Sequence, residues 1–253
     1  MPRAALFDFD GTLSLLREGW AGIMADLGLD LLRTEGITIR PNDRVYLEDQ
    51  MLRLSGKPSI YQMRRLAAEV ANRGGTPGDP EEYLKEFHRR LFATVDARIA
   101  DLETGRALPK AWAVPGSHAL LDTLQARGVP LYLASGTDLA HVRRELGLLD
   151  LARFFGPHVY APANDTPNFH KREVVEMIVR AHGGPPVGFG DGYAETVEVK
   201  RVGGYVVGVA SKEAGDPGLN ELKKAMLLEL GADMVVGDYE PVGPLVAKLW
   251  GNE

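Results

Sequence analysis

Ala4-Ala5-Leu6-Phe7-Asp8-Phe9-Asp10-Gly11-Thr12 is a short apolar run that ends abruptly in two acids. The run is too short for a core helix and does not alternate, so it predicts a strand buried on both faces, as in a parallel sheet. Gly11 supplies a tight turn directly after the second acid. Open parallel sheets bind their ligands in the crevice beyond the carboxyl ends of the strands. Asp8 and Asp10 stand at that end.

Outward from this stretch the chain has two textures. From Ser14 to about Trp112 the apolar spacing is helical, with no convincing buried strand. Leu16, Trp20, Ile23, Met24 and Leu27 form one stripe. Asn42 and Ser59 read as caps of two further helices, the second with Ile60, Met63, Leu66 and Val70 on one face. Asp79-Pro80-Glu81-Glu82 is a strong helix start, followed by the stripe Tyr83, Phe87, Leu91 and Val95. From Val114 onward strand and helix alternate. Helices are expected over 117–127, from the Asp138 cap to Leu146, and over 171–182; strands over 130–134, 158–161, 187–190, 205–210 and 234–236. This βαβ rhythm predicts an α/β fold around a parallel sheet, with residues 14–112 inserted as a helical domain into a core formed by 1–13 and 113–253.

Composition narrows the function classes. The chain has 253 residues, 45% of them apolar and 25% charged, as in an ordinary globular protein. No apolar run approaches the ~20 residues of a membrane span, and Asp8 and Asp10 interrupt what would be the apolar core of a leader. The absence of cysteine excludes disulfides, thiolate catalysis and Cys-ligated metals. A cytoplasmic protein with no membrane partner is expected. Residues 14–112 hold 15 basic and 15 acidic residues, so the net charge of −6 lies wholly in the remainder. With no basic stripe, nucleic acid is not an expected partner. An acidic core that handles an anion needs a metal ion and a well-placed lysine.

Four stretches at strand ends or helix starts carry chemistry. In the first, a carboxylate such as Asp8 can attack phosphorus, and a second acid such as Asp10 can protonate a leaving oxygen. In the second, Ala134-Ser135-Gly136-Thr137 ends a strand, and the Ser135 hydroxyl with neighbouring N–H groups can bind a phosphate. In the third, Lys171 opens an amphipathic helix and can neutralise charge at a nucleophile or a phosphoryl group. In the fourth, Val187-Gly188-Phe189-Gly190-Asp191-Gly192 is an apolar strand ending in an acid, with Glu195 four residues on. Asp8, Asp191 and the Asp10 carbonyl make an oxygen-rich set suited to Mg²⁺, and Glu195 suits the support of Lys171 or a metal-bound water. The glycines lack the spacing of a dinucleotide loop. Each stretch also has a plainer reading: a polar turn, a capped loop, a solvated lysine.

Taken together and in order, Asp-x-Asp-Gly-Thr, Ser, Lys and Gly-Asp-x-x-x-Glu resemble the haloacid dehalogenase superfamily, most closely its branch similar to phosphoglycolate phosphatase and β-phosphoglucomutase. The resemblance implies a Rossmann-like three-layer core with an all-helical C1 cap. It implies Asp8 as nucleophile, Asp10 as general acid/base and Lys171 as charge stabiliser. Ser135, Gly136 and Thr12 become phosphate contacts, and Asp8, Asp10 and Asp191 hold Mg²⁺ with Glu195 in support. Dehalogenases of the superfamily lack an acid at the position of Asp10, so the implied activity is a Mg²⁺-dependent phosphatase of a small phosphorylated metabolite. A phosphomutase using the same residues, or a non-catalytic binding protein, are the alternatives. Within the insertion, Arg17, Gly56 and Lys57 are the expected substrate contacts, Lys57 reading equally as a solvent-facing turn. Monomer and homodimer both fit the pattern.

Overall fold

A computed structural model of the chain describes residues 2–54, 58–163, 169–212 and 218–251. The opening apolar run forms β1, Ala5–Phe7, and the later runs form β2, Leu131–Ala134, and β3, Val159–Tyr160. They are followed by β4, Val187–Gly190, β5, Tyr205–Val209, and β6, Met234–Val236. All pair in parallel, in the order β3-β2-β1-β4-β5-β6. β1 is central: Ala5 registers with Leu131 on one side and Val187 on the other. The chain winds outward through β2 and β3, then returns past β1 to β4. The switch point of the topology therefore lies between β1 and β4, and Asp8 follows one strand while Asp191 follows the other.

The helices are α1 Trp20–Thr34, α2 Asp43–Leu52, α3 Ile60–Asn72 and α4 Pro80–Glu103. Then come α5 Ser117–Ala126, α6 Leu139–Leu148, α7 Ala152–Phe155 and α8 Lys171–His182. Last are α9 Tyr193–Arg201, α10 Glu221–Glu229 and α11 Val242–Trp250. Among the described residues, no helix is long and apolar enough to cross a membrane.

Strand periodicity makes three layers. Ala5, Phe7, Leu131, Leu133, Val187, Phe189, Val207 and Val209 face one apolar cluster, built with α5, α6, α7 and α11. Leu6, Tyr132, Ala134 and Val206 face the other, built with α8, α9 and α10. Phe7 anchors the first layer, stacked on Phe189 at 4.5 Å and edge-on to Phe155 at 6.1 Å. Each aromatic pair adds ~0.5–1.5 kcal/mol beyond its buried area. On the second face, a Cβ at Gly188 would lie 2.8 Å from the Val199 side chain, so glycine there lets α9 approach the strand.

The chain divides into two compact units, Met1–Leu16 with Arg98–Glu253, and Arg17–Ala97. The second holds α1, α2, α3 and most of α4. These joints differ from the expected 13/14 and 112/113, for a local reason. Ser14 bridges both Asp10 and Ala113, Leu15 N–H donates to Trp112 O at 2.8 Å, and Val114 N–H donates to Leu13 O at 3.0 Å. Arg98 donates to the carbonyls of Leu15 and Leu16 at 3.2 and 2.8 Å and stacks over Trp112. Ser14–Leu16 thus continue the core rather than start a helix, and Leu16 leaves the expected stripe; α1 begins after Gly19 instead.

Within the helical unit, opposite charges pair with one another. Arg73 forks onto both oxygens of the buried Asp43 at 2.7 and 2.9 Å and reaches Glu69 at 2.8 Å. Arg65 and Tyr46 also contact Glu69. Asn42 and Ser59 do precede α2 and α3, but neither side chain makes a cap hydrogen bond. Asp79 and Asp138 do cap: their Oδ1 atoms accept from Glu81 N–H at 3.0 Å and Ala140 N–H at 2.9 Å.

Candidate active site

The residues beyond the carboxyl ends of β1, β2 and β4 converge. Asp8 continues β1, its N–H donating to Phe189 O of β4 at 2.9 Å. Lys171 is the first residue of α8, so its backbone is fixed by the helix while its side chain reaches back toward the sheet. Its Nζ donates to Asp8 Oδ1 and to Glu195 Oε2, both at 2.7 Å. Glu195 is 3% exposed and sits in the first turn of α9, where Oε1 accepts from Gly192 N–H at 2.6 Å. Glu195 therefore caps its own helix with one oxygen and holds Lys171 with the other. A Cβ at Gly190 would fall 1.9 Å from Glu195 Cγ, so this geometry needs glycine at the end of β4. Steric demand of α9 accounts for Gly188 and Gly190.

Asp191 completes the cluster. The carboxylates of Asp8, Asp191 and Glu195 are all buried, with one oxygen of each lying within 4.8 Å of the others. Asp191 Oδ2 accepts from Lys223 Nζ at 3.2 Å. Hard oxygen donors with no histidine or cysteine among them suit a divalent cation of the Mg²⁺ type. Both oxygens of Glu195 are engaged, which leaves Asp8 and Asp191 as the carboxylates best fitted to hold the ion.

The electrostatics follow from burial. Desolvation raises the Asp8 carboxyl well above the usual range; Lys171 opposes this, while Glu195 and Asp191 add to it. Burial also disfavours ionised Glu195, but the Lys171 charge and hydrogen bond and the Gly192 N–H outweigh it, so its pKa is lowered. Burial opposes the charged form of Lys171, and its two carboxylate partners more than compensate, raising its pKa. The lysine is therefore a fixed positive charge.

Ser135, which follows β2, is buried, and its Oγ accepts from Thr137 N–H at 3.1 Å. Gly136 is exposed, and a Cβ there would meet nothing within 4 Å, so packing does not demand glycine. Asp10 Oδ2 accepts from Thr137 Oγ1 at 2.7 Å. Thr12 is fully buried, and among the described residues its hydroxyl has no hydrogen-bond partner. Arg17 opens the helical unit and is buried. Gly56 and Lys57 lie outside the described residues. Phe169 packs against the second apolar cluster, and His170 is exposed at the start of α8.

Four residues of this neighbourhood escaped the sequence reading. Thr137 holds Asp10, and Lys223 holds Asp191. Ser211 Oγ donates to Gly11 O at 2.6 Å, and Tyr239 OH donates to Thr12 O at 2.8 Å, so two carbonyls of the Asp8–Thr12 loop are fixed from beyond β5 and β6. Burial, then the charges of Asp8 and Asp191, keep the Tyr239 phenol protonated. Lys223 was open to the argument applied to Lys171, since it too sits in the first turn of a helix after a strand; Ser211 and Tyr239 carried no local signal.

A doubly wound parallel sheet with a buried carboxylate–lysine cluster at its switch point defines a ligand-handling α/β protein. The family model of haloacid dehalogenase-like hydrolases matches residues 2–203, and the chain belongs to that family. Solved structures share the fold at low identity. A haloacid dehalogenase family hydrolase from Deinococcus radiodurans, with bound phosphate and sodium, is 19% identical, with a TM-score of 0.61 over 97% of this chain and 95% of that one. A haloacid dehalogenase-like protein of unknown function from Agrobacterium tumefaciens is 17% identical, TM-score 0.63, over 98% and 99%. A predicted phosphoglycolate phosphatase from Haemophilus somnus is 14% identical, TM-score 0.61, over 96% and 97%. No curated protein matches the chain.

Proposed function

We propose that this chain is a Mg²⁺-dependent phosphatase that hydrolyses a small phosphorylated metabolite, such as a sugar phosphate, through an aspartyl phosphate on Asp8. The observation that carries this reading is the ammonium of Lys171, shared at 2.7 Å by Asp8 and Glu195 beyond the ends of β1 and β4. A buried carboxylate with a fixed cation against it is a nucleophile whose charge is neutralised on attack.

In this reading Asp8 attacks phosphorus and the ester P–O bond breaks. Asp10 gives its proton to the departing oxygen, and Thr137 keeps the Asp10 carboxyl oriented. Water then attacks the aspartyl phosphate while Asp10 takes back a proton, releasing inorganic phosphate and freeing Asp8. Ser135, Gly136 and Thr12 bind the phosphoryl oxygens, and Lys171 balances their charge. Asp8, Asp191 and the Asp10 carbonyl would hold Mg²⁺. Bound there, the ion supplies positive charge that favours ionised Asp8 and screens the phosphoryl group. Desolvation of Asp8, which favours its neutral form, is the physical reason a nucleophile here needs that charge. The helical unit Arg17–Ala97 is proposed as the C1 cap, with substrate selection assigned to it.

The test is phosphate release from a panel of phosphorylated metabolites with Mg²⁺. Release that requires the metal and vanishes in Asp8→Asn supports the reading. Isomer conversion without net phosphate release makes the chain a mutase, and binding without turnover under any metal condition makes it a non-catalytic protein.

A further inference from the structure

Lys223 is 2% exposed, and the reaction proposed above gives it no part. A lysine is almost never buried this far unless it is paired. Its placement is specific. Asn220 caps α10, its Oδ1 accepting from Leu222 N–H and Lys223 N–H, both at 3.1 Å, which fixes the turn that bears the lysine. From there Nζ reaches Asp191 Oδ2 at 3.2 Å, across 32 residues of sequence.

The charges of the cluster divide unequally. Lys171 donates to Asp8 and Glu195, and Lys223 donates to Asp191. A divalent ion held by Asp8 and Asp191 would approach a carboxylate that already binds an ammonium. We propose that Lys223 is a positioning residue that holds Asp191 while no divalent cation is bound and competes with that cation for the Asp191 carboxylate. The inference rests on the metal reading given above. Its consequence is a trade: the ammonium keeps the metal-free cluster balanced and in place, and it weakens metal binding by like-charge repulsion.

The experiment is calorimetric titration of Mg²⁺ into the wild type, Lys223→Met and Asp191→Asn, with the thermal midpoint of each measured with and without the metal. Methionine keeps the length of the side chain and removes the charge. The proposal predicts that Lys223→Met binds Mg²⁺ about tenfold more tightly, an order-of-magnitude expectation for removing one nearby charge. The same variant melts lower than wild type in chelator and recovers when Mg²⁺ is added. Should Lys223→Met fail to fold, Lys223→Gln, a neutral donor, shows the same tightening. Affinity that is unchanged or weaker in whichever variant folds overturns the proposal alone. Absence of Mg²⁺ binding by the wild type overturns the metal reading and the proposal together. Tight Mg²⁺ binding retained by Asp191→Asn also overturns the proposal, since Asp191 is then not the contested ligand.

Discussion

Glu195 shows how much one side chain does here. It closes the first turn of α9 through Gly192 N–H and anchors Lys171 against Asp8, and it fits only because residue 190 has no Cβ. Gly190→Ala should therefore push Glu195 aside and destabilise the protein by ~1–3 kcal/mol, the usual cost of overpacking, with a loss of activity larger than that of the stability. Thermal unfolding beside kcat measures both, and an active, fully stable Gly190→Ala would remove the role given to Glu195. Asp8 leads to a pH prediction. Its folded pKa is raised, so between the unfolded value near about 4 and the folded value the metal-free protein keeps a proton that binding of the ion must expel. Mg²⁺ affinity should rise with pH across that window and then level off, with proton release seen by calorimetry in buffers of different ionisation enthalpy. Affinity that falls as pH rises would contradict the raised pKa. The placement of Asp8, Asp10, Ser135, Lys171 and Asp191 was legible because each follows a strand or opens a helix. Thr137, Ser211 and Tyr239 were not, because their roles come from contacts with residues distant in sequence.

At the scale of elements, α8 and β4 match their expected ranges residue for residue, since each combines an apolar pattern with a strong boundary: Gly183 in the left-handed region after α8, and an acid after β4. α9, α10 and α11 were not read from sequence. α9 and α10 carry many charges, and α11 is a short apolar stretch with a proline inside it. In each, docking on the sheet decides the structure more than the local pattern does. The helical unit makes its own prediction. The Arg73 hydrogen bonds hold Asp43 below the usual carboxylate range, outweighing its desolvation. A lowered folded pKa gives stability that is fully present above the unfolded value, so this contribution begins to fall below about pH 4 and is lost once the pH drops through the lower folded value. Asp43→Asn removes the main partner of Arg73 while Glu69 still accepts from it, and should cost about 1.5–3 kcal/mol at neutral pH, as for loss of a charged hydrogen bond. Denaturant unfolding at pH 7 and through a descending pH series checks it: the gap between variant and wild type should be widest at neutral pH and narrow progressively below about pH 4. A gap that stays constant through the series would show that pairing is not what Asp43 contributes.

Across the whole molecule, one ordering principle connects the parts. The sheet winds outward from β1 and returns, so residues far apart in sequence, Asp8, Lys171, Asp191 and Glu195, share one end of two neighbouring strands. The 17–97 unit enters the chain just after the first acidic loop, and Arg98 ties both passages of the chain to the core at Leu15 and Leu16. The fold class was readable from the change of period at Val114. The exact joints were not, because backbone bridges and a long-range arginine set them. The proposed nucleophile, Asp8, carries the phosphoryl group in the first half of the reaction. Acid-quenching the protein during turnover of p-nitrophenyl phosphate with Mg²⁺ and mapping the phosphorylated peptide locates that group. The expected result is a phosphoryl group on Asp8, absent together with activity in Asp8→Asn; phosphate release undiminished in Asp8→Asn would rule Asp8 out as the nucleophile.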